Sequence, residues 1–461
     1  MHHPFSRQAS RATYSALLTS VMLLPAGVVA QAAVQTVSID ADASEGFNAK
    51  FQATYIWQKK PAFYALYSGV NSLLPQAEKS YSFTSTAYLG LRLADNTELY
   101  FNPEVVQGVA MSGLTGLGGL TNAELQKTAG AKPVVYRARL FVRQTFNTGD
   151  DRAAVASDAN QLAGLRSTER LVVSVGNLAV SDIFDANAYA HDPRTQFMNW
   201  SFLTHGAYDF AADSRGYSIG AALEYYRADW ALRAGRFMMP RESNGLALDR
   251  VLARRYGDQL ELEKGYVVAN QPGKARLLVF RNQAVMGGFD DALAAAAVAG
   301  GVPAVAPVRK LRTKKGWGVN VEQSLTSTAG LFARIGKSDG ASEAYAFTEI
   351  DRSLSFGLTT NGTHWGRAQD TVGLAFAQNG LSASHRAFLA AGGNGFFVGD
   401  GRLTYRPESI VEGYYGFGLG QRMRFLQRSA LSVGAQFIRN PAYNADRGPV
   451  RVFSVRLHTD F

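Results

Sequence analysis

The chain contains no cysteine, and its 461 residues include only 7 histidines and 14 prolines. Lack of cysteine rules out a disulfide scaffold, thiolate metal ligands and a thiol nucleophile. An exported chain of this size without disulfides needs another source of stability, and a closed sheet is one. Long apolar runs are lacking as well. A mean hydropathy of -0.10 excludes a bundle of transmembrane helices, each of which needs about 20 consecutive apolar residues. It leaves open a barrel whose strands turn only every second residue toward lipid. The histidines show no metal spacing: apart from His2 and His3, the residues His191, His205, His364, His385 and His458 form neither H-E-x-x-H nor His-x-His. A G-x-S-x-G elbow is absent, and the glycine run Gly113–Gly119 has no phosphate-loop lysine. No catalytic residue, metal or cofactor is therefore expected, and the chain does not read as an enzyme.

The two ends are informative. Arg7 and Arg11 precede an apolar stretch from Tyr14 to Ala30, broken by Pro25 and followed by Ala30-Gln31-Ala32. This is the pattern of a cleaved secretory signal over residues 1–32, with the mature chain starting near Ala33. Removing it takes away two arginines and leaves +8 of the +10 formal charge. An exported basic chain is matched to anionic lipopolysaccharide or anionic solutes rather than nucleic acid. At the other end, Phe453, Val455, Leu457 and Phe461 alternate with Ser454, Arg456, His458 and Asp460. A period of two running to a terminal aromatic is a strand pattern, and it resembles the closing strand that bacterial barrel assembly machinery reads.

The same alternation recurs along the chain. Phe47, Ala49, Phe51, Ala53, Tyr55 and Trp57 oppose Asn48, Lys50, Gln52 and Thr54; Leu431, Val433, Ala435 and Phe437 oppose Ser432 and Gln436. In water such apolar faces would need covering helices or a second sheet. Long amphipathic helices are missing, so the expected cover is lipid. Strands are expected near residues 47–58, 81–94, 97–107, 134–147, 170–180, 216–227, 229–239 and 258–270. The others are expected near 273–284, 315–326, 329–338, 345–361, 368–380, 409–421, 427–439 and 450–461. The fold class is thus all-β, an antiparallel transmembrane β-barrel of about 16 strands at residues 47–461, after a short segment 33–46.

Short periplasmic turns are expected near Asp95-Asn96, Ala228, Gln271-Pro272, Thr328 and Arg367. Long outer loops are expected at 59–80, 108–133, 181–215, 285–314 and 381–408. Two connections break the alternation: 148–169 is long for a periplasmic turn, and 339–344 is short for an outer loop. Leu120–Lys127 has a capping pattern that predicts a helix, as does the alanine-rich stretch from Asp290 to Ala299. Tyr55, Trp57, Tyr81, Trp230, Trp317 and Tyr345 fall near strand ends, where aromatic girdles form.

Polar residues on the other face of each strand define a lumen. Glu98, Asn102 and Glu104 are expected inward on one strand, opposite Arg137, Arg139 and Arg143 on its neighbour. An arginine facing lipid at the bilayer midplane costs roughly 2–4 kcal/mol. The third outer loop, 181–215, is expected to fold inward. Its short polar groups Asp182, Asp185, Asn187, Asp192, Arg194 and Asn199 are interleaved with Phe184, Tyr189, Phe197 and Trp200. Carboxylates, amides and guanidinium suit sugar hydroxyls, and aromatic rings suit sugar C–H faces. Asp-Pro and Asp-Ala-Asn are also turn formers, so the same groups could merely brace the loop.

The stretch Val172–Gly245, with its D-x-F-D-x-N-x-Y-A-x-D-P-R-x-x-F-x-N loop and G-R-F strand end, resembles the carbohydrate-selective porins. The resemblance extends from about Phe47 to Phe461 and is specific only in this region. It implies a sixteen-stranded outer-membrane pore for passive uptake of small sugars through a polar eyelet in a Gram-negative bacterium, as monomer or homotrimer. The alanine-rich insertion at 290–306 departs from the pattern. The alternatives are an anion- or phosphate-preferring pore, which the +8 charge would serve, and, further off, a barrel enzyme. A gated receptor would need a folded plug domain ahead of the barrel, for which 33–46 is too short.

Overall fold

The computed structural model describes residues 44–420 and 427–461; the expected signal peptide lies outside the described residues. Sixteen strands close into one antiparallel barrel. They are β1 (Phe47–Lys60), β2 (Glu78–Ala94), β3 (Thr97–Val109), β4 (Val134–Asn147), and, after a separate hairpin of β5 (Arg152–Val155) and β6 (Gly164–Ser167), β7 (Arg170–Leu178) and β8 (Ser218–Arg227). Next come β9 (Trp230–Met238), β10 (Tyr256–Val268), β11 (Gln271–Gly287), β12 (Arg309–Ser324) and β13 (Ala329–Ser338). The last five are β14 (Arg352–Gly362), β15 (Arg367–Gly380), β16 (Glu408–Gly418), β17 (Ser429–Arg439) and β18 (Val450–Asp460). Closure comes from β1 pairing antiparallel with β18, from Gln52 opposite Asp460 to Lys59 opposite Phe453. A closed sheet has no edge, so every strand finds its ladder partners inside the wall.

Alternation sets what each face meets. Along β18, Phe453, Val455 and Leu457 are exposed while Val452, Ser454, Arg456 and His458 are buried. The exposed apolar side chains recur on most strands, among them Leu91, Phe101, Leu232, Leu277, Ile335 and Leu374. A continuous apolar outer band of this kind belongs in lipid rather than water. Inside, the barrel is packed with polar and charged groups, so that Arg334 and Arg456 are among the largest fully buried side chains.

Short turns lie at one end and long loops at the other, except that the long connection 148–169 lies at the short-turn end. The turn between β10 and β11 is Ala269-Asn270, both left-handed (φ 50° and 60°), a two-residue turn that matches strand twist. It sits two residues before the expected Gln271-Pro272, which instead begins β11. The expected strand 345–361 begins only at Arg352. Tyr345, Ala346 and Phe347 are buried in the connection 339–351, because three successive N–H groups there donate to Asp209 at 2.8–2.9 Å. That connection is therefore a long loop, and Tyr345 is an interior residue instead of a girdle one. The expected helix at Leu120–Lys127 does not form; the segment is a run of turns drawn into the lumen. The alanine-rich segment does form a helix, α2 (Phe289–Ala299), and α1 (Trp200–Leu203) and α3 (Ala383–Ala390) are the other α-helices among the described residues. Among these outer loops, His385 of α3 bonds Asp351 at 2.9 Å and stacks on Phe289 of α2 at 4.2 Å.

Candidate functional site

The loop between β7 and β8, residues 179–217, folds into the barrel and is fastened by inward side chains of distant strands. Glu261 accepts from the Asp185 N–H at 2.6 Å, Glu322 from Ala188 at 2.8 Å, and Glu412 from Met198 and Asn199 at 2.6 and 2.9 Å. Arg456 donates to the carbonyls of Pro193 and Gln196 at 2.7 and 2.6 Å. Arg334 donates to those of Phe202 and Asp185 at 3.0 and 3.1 Å. The loop's irregular backbone thus has its hydrogen bonds met by the wall. His205 packs into a slot left by Gly318 and Gly336, cross-strand partners on β12 and β13. A Cβ on either glycine would lie about 2.2–2.3 Å from the imidazole. Burial pushes the His205 imidazole down to about 4, so it packs as a neutral ring.

Within this frame a cavity of about 390 Å³ remains, bounded by the third loop, the second outer loop and the β2–β4 wall. Four acids line it, Glu124, Asp182, Asp192 and Asp213, and so do four bases, Lys127, Arg139, Arg194 and Arg215. Arg139 grips Asp182 with two bonds of 2.6 Å. Burial would raise the Asp182 carboxyl, but Arg139 holds it below the usual carboxylate range. Arg194 spans Glu124 at 2.7 Å, the Tyr88 hydroxyl at 2.6 Å and Glu104 at 3.4 Å. Burial raises the Glu124 carboxyl despite that pairing. Lys127 donates to Asn244 and to the Ala346 carbonyl at 2.7 Å, and burial pushes it down to about 7. Trp200, Phe210 and Phe347 give the cavity an apolar flank, with Trp200 stacked on Phe347 at 5.0 Å.

The residues singled out in the sequence separate into three groups. Arg139, Asp182, Asp192 and Arg194 come together at the cavity. Asp185, Asn187 and Asn199 are buried and turned to the wall: Asp185 accepts from Asn320 and the His205 N–H, both at 2.6 Å. Asn187 donates to Asn320 at 2.7 Å, and Asn199 donates to Gln436 at 3.0 Å and caps α1. On the β3–β4 wall, Glu98 pairs with Arg166 and Arg92 rather than with its register partner Arg143. Glu104 gathers Thr86, Tyr136, Tyr217 and Arg194.

Arg137 leaves the inward row. A register shift at Asn102/Pro103 sets Arg137 opposite outward Pro103 and brings Tyr136 inward opposite Glu104. Arg137 lies three residues from the long-loop end of β4, where the cost of a lipid-side charge falls toward roughly 0–1 kcal/mol. Plain alternation could not foresee this bulge.

Asn102 and Arg143 meet a segment that alternation could not explain either. Connection 148–169, which carries the β5–β6 hairpin, turns back into the barrel from the short-turn end. Asn160 accepts from Asn102 and Arg143, both at 2.9 Å; the Leu162 N–H donates to the Tyr100 hydroxyl at 3.2 Å; Ala163 accepts from Arg92 at 3.1 Å. Leu162 is fully buried, and Ala159 and Asn160 line the cavity. Lys127, Asp213, Arg215 and Asn160 were not visible as site residues in the sequence. Asp213 and Arg215 lie in the loop 181–215 expected to fold inward, Lys127 in the expected outer loop 108–133, and only the unusual length of 148–169 marked the segment that carries Asn160.

The geometry is that of a closed transmembrane β-barrel narrowed by inward loops. No curated protein matches the chain by sequence. Among solved structures, a high-pH structure of OprB from Pseudomonas putida is 16% identical, covering 90% of this chain and 94% of its own with a TM-score of 0.67, and it shares the fold. OccAB1 from Acinetobacter baumannii is 9% identical over 92% of this chain and 99% of its own, at a TM-score of 0.49. The family model described as carbohydrate-selective porin, OprB family, matches residues 78–461. The chain belongs to the OprB family of carbohydrate-selective porins.

Proposed function

We propose that the cavity beneath the third loop is the eyelet of a passive channel for neutral saccharides, and that the chain performs no chemistry on them. The observation that carries this reading is the balance of four acids and four bases beside an apolar flank of Trp200, Phe210 and Phe347. Alternating donors and acceptors match sugar hydroxyls, and rings match C–H faces. An anion-preferring pore would be served by a surplus of bases at its narrowest stretch, which this lining lacks. The +8 charge left after removal of residues 1–32 is carried elsewhere. The chain is exported through a cleaved signal, enters the outer membrane of a Gram-negative cell by way of its closing strand, and acts as a monomer or homotrimer. The Phe461 N–H, donating to the Phe51 carbonyl at 2.8 Å, ties the residue that follows β18 to β1.

Planar-bilayer recording tests the reading. Glucose or a short oligosaccharide should reduce salt current in proportion to site occupancy, with weak ion selectivity. Arg139→Ala should weaken that block about tenfold, the loss of roughly one charge-assisted contact. Strong anion selectivity without sugar block would sink the proposal in favour of an anion channel.

Selectivity should also follow pH. Burial pushes Lys127 down to about 7, so the lining loses one positive charge as pH rises through that value. Cation preference should therefore rise from pH 6 to pH 8, read as a shift in reversal potential across a salt gradient. Lys127→Met should abolish the step.

A further inference from the structure

Two adjacent grooves lie on the outward face of the barrel, at the long-loop rim. One, about 330 Å³, is lined by Trp317, Ile335, Leu354, Lys337 and Arg352; the other, about 670 Å³, by Phe376, Val411, Phe437, Arg406 and Arg439. They share Gln378 and Pro407, so the surface is continuous over β12–β17. Trp317, Ile335, Leu354, Val411 and Phe437 are exposed on the lipid side, and the four bases are exposed above them. No acid lines either groove.

Lys337 and Arg352 stand directly opposite each other as cross-strand partners. Like charges so placed repel. Elsewhere on this rim the chain supplies its own counter-charge: Asp258 sits between Arg236 and Arg281 at 2.7 and 2.6 Å. Among the described residues no carboxylate pairs with Lys337, Arg352, Arg406 or Arg439. A groove with an unpaired basic pair at the headgroup level and an apolar wall below suits an amphiphile whose head is anionic and whose tails are hydrocarbon. Arg and Lys bind phosphate through charge-assisted hydrogen bonds, and each adds electrostatic attraction to an anionic membrane surface.

We infer that this surface is a binding site for a phosphorylated glycolipid of the outer leaflet. Lys337 with Arg352 holds one phosphate and Arg406 with Arg439 holds a second, while the acyl chains lie along Trp317, Leu354, Phe376 and Phe437. The inference rests on the outer-membrane setting of the pore and is independent of what passes through the lumen.

The test uses the full-length mature protein in detergent, with lipid adducts counted by native mass spectrometry. Bis-phosphorylated lipid A should be retained, phosphatidylethanolamine should not, and mono-phosphorylated lipid A should be retained more weakly. The variant K337Q/R352Q/R406Q/R439Q should lose lipid A retention by at least about tenfold, whereas R236Q/R281Q, which removes paired arginines, should keep it. The double variant K337Q/R352Q carries the same test with half the charge removed, and a heat-dependent gel shift verifies folding of each. Equal retention of phosphatidylethanolamine, or unchanged lipid A retention by folded quadruple and double variants, would overturn the inference. Displacement of lipid A by millimolar inorganic phosphate would overturn it too, by making the site one for the free ion. Sugar block is not read here, so its failure and the failure of lipid binding are separate results.

Discussion

Replacing Asp185 with alanine should lower the unfolding free energy of the barrel by about 3–5 kcal/mol, the usual cost of breaking a fully buried ion pair. Arg334, whose side chain is 0% exposed, lies 3.4 Å from that carboxylate. The substitution also strips the acceptor from the His205 N–H and one of three acceptors from the Asn320 amide, which keeps the Ala186 and Asp185 carbonyls. The Arg334 guanidinium keeps the Phe202 and Asp185 carbonyls at 3.0 and 3.1 Å, but its buried charge loses its salt-bridge partner. Urea titration of the reconstituted protein should show the midpoint fall, and single-channel records should become noisy as the third loop loses its anchor. Asp185→Ala combined with Arg334→Met should recover part of the loss, since an apolar replacement removes both charges together. A loss below about 1 kcal/mol, the size of an exposed pair, would mean that Asp185 is not the anchor.

Asp185 also illustrates what the sequence made legible. Strand number and most strand bounds followed from alternation alone, because each barrel residue faces either lipid or lumen and period two reports that directly. The motif around Asp185, Asn187 and Asn199 marked the right loop, yet sequence could not separate groups that face solute from groups that brace the loop. The separation depends on partners such as Asn320, Glu412 and Gln436, which lie 133 to 237 residues away. The misread positions have local causes. At Arg137 one extra residue in β4 reversed inside and outside; at Tyr345–Phe347 an apolar alternation belonged to a loop whose N–H groups converge on Asp209. At Leu120–Lys127, Trp200 and Asn122 bonded across loops in place of a helix's own ladder.

Replacing residues 149–168 with an Asn-Gly turn should at least about double single-channel conductance, since current through a pore is set by its narrowest cross-section. The segment sits in the lumen against Asn48, Arg92, Tyr100, Asn102 and Arg143. Without it those groups face water, which satisfies them at little cost, and Asn-Gly supplies the left-handed turn that joins β4 to β7. Block by the larger oligosaccharides should weaken most, because Ala159 and Asn160 form the floor on which their far end would rest. Absence of native cysteine allows a milder form of the same experiment. Asn160→Cys should lose current when a bulky charged thiol reagent is added, while Arg152→Cys, in the exposed part of the hairpin, should not. Unchanged conductance in a folded deletion, with no effect of labelling at position 160, would mean that solute passes the segment without touching it. A rise in conductance with the sugar block intact would instead place selectivity wholly in the third loop, leaving the segment as an obstruction that limits rate alone.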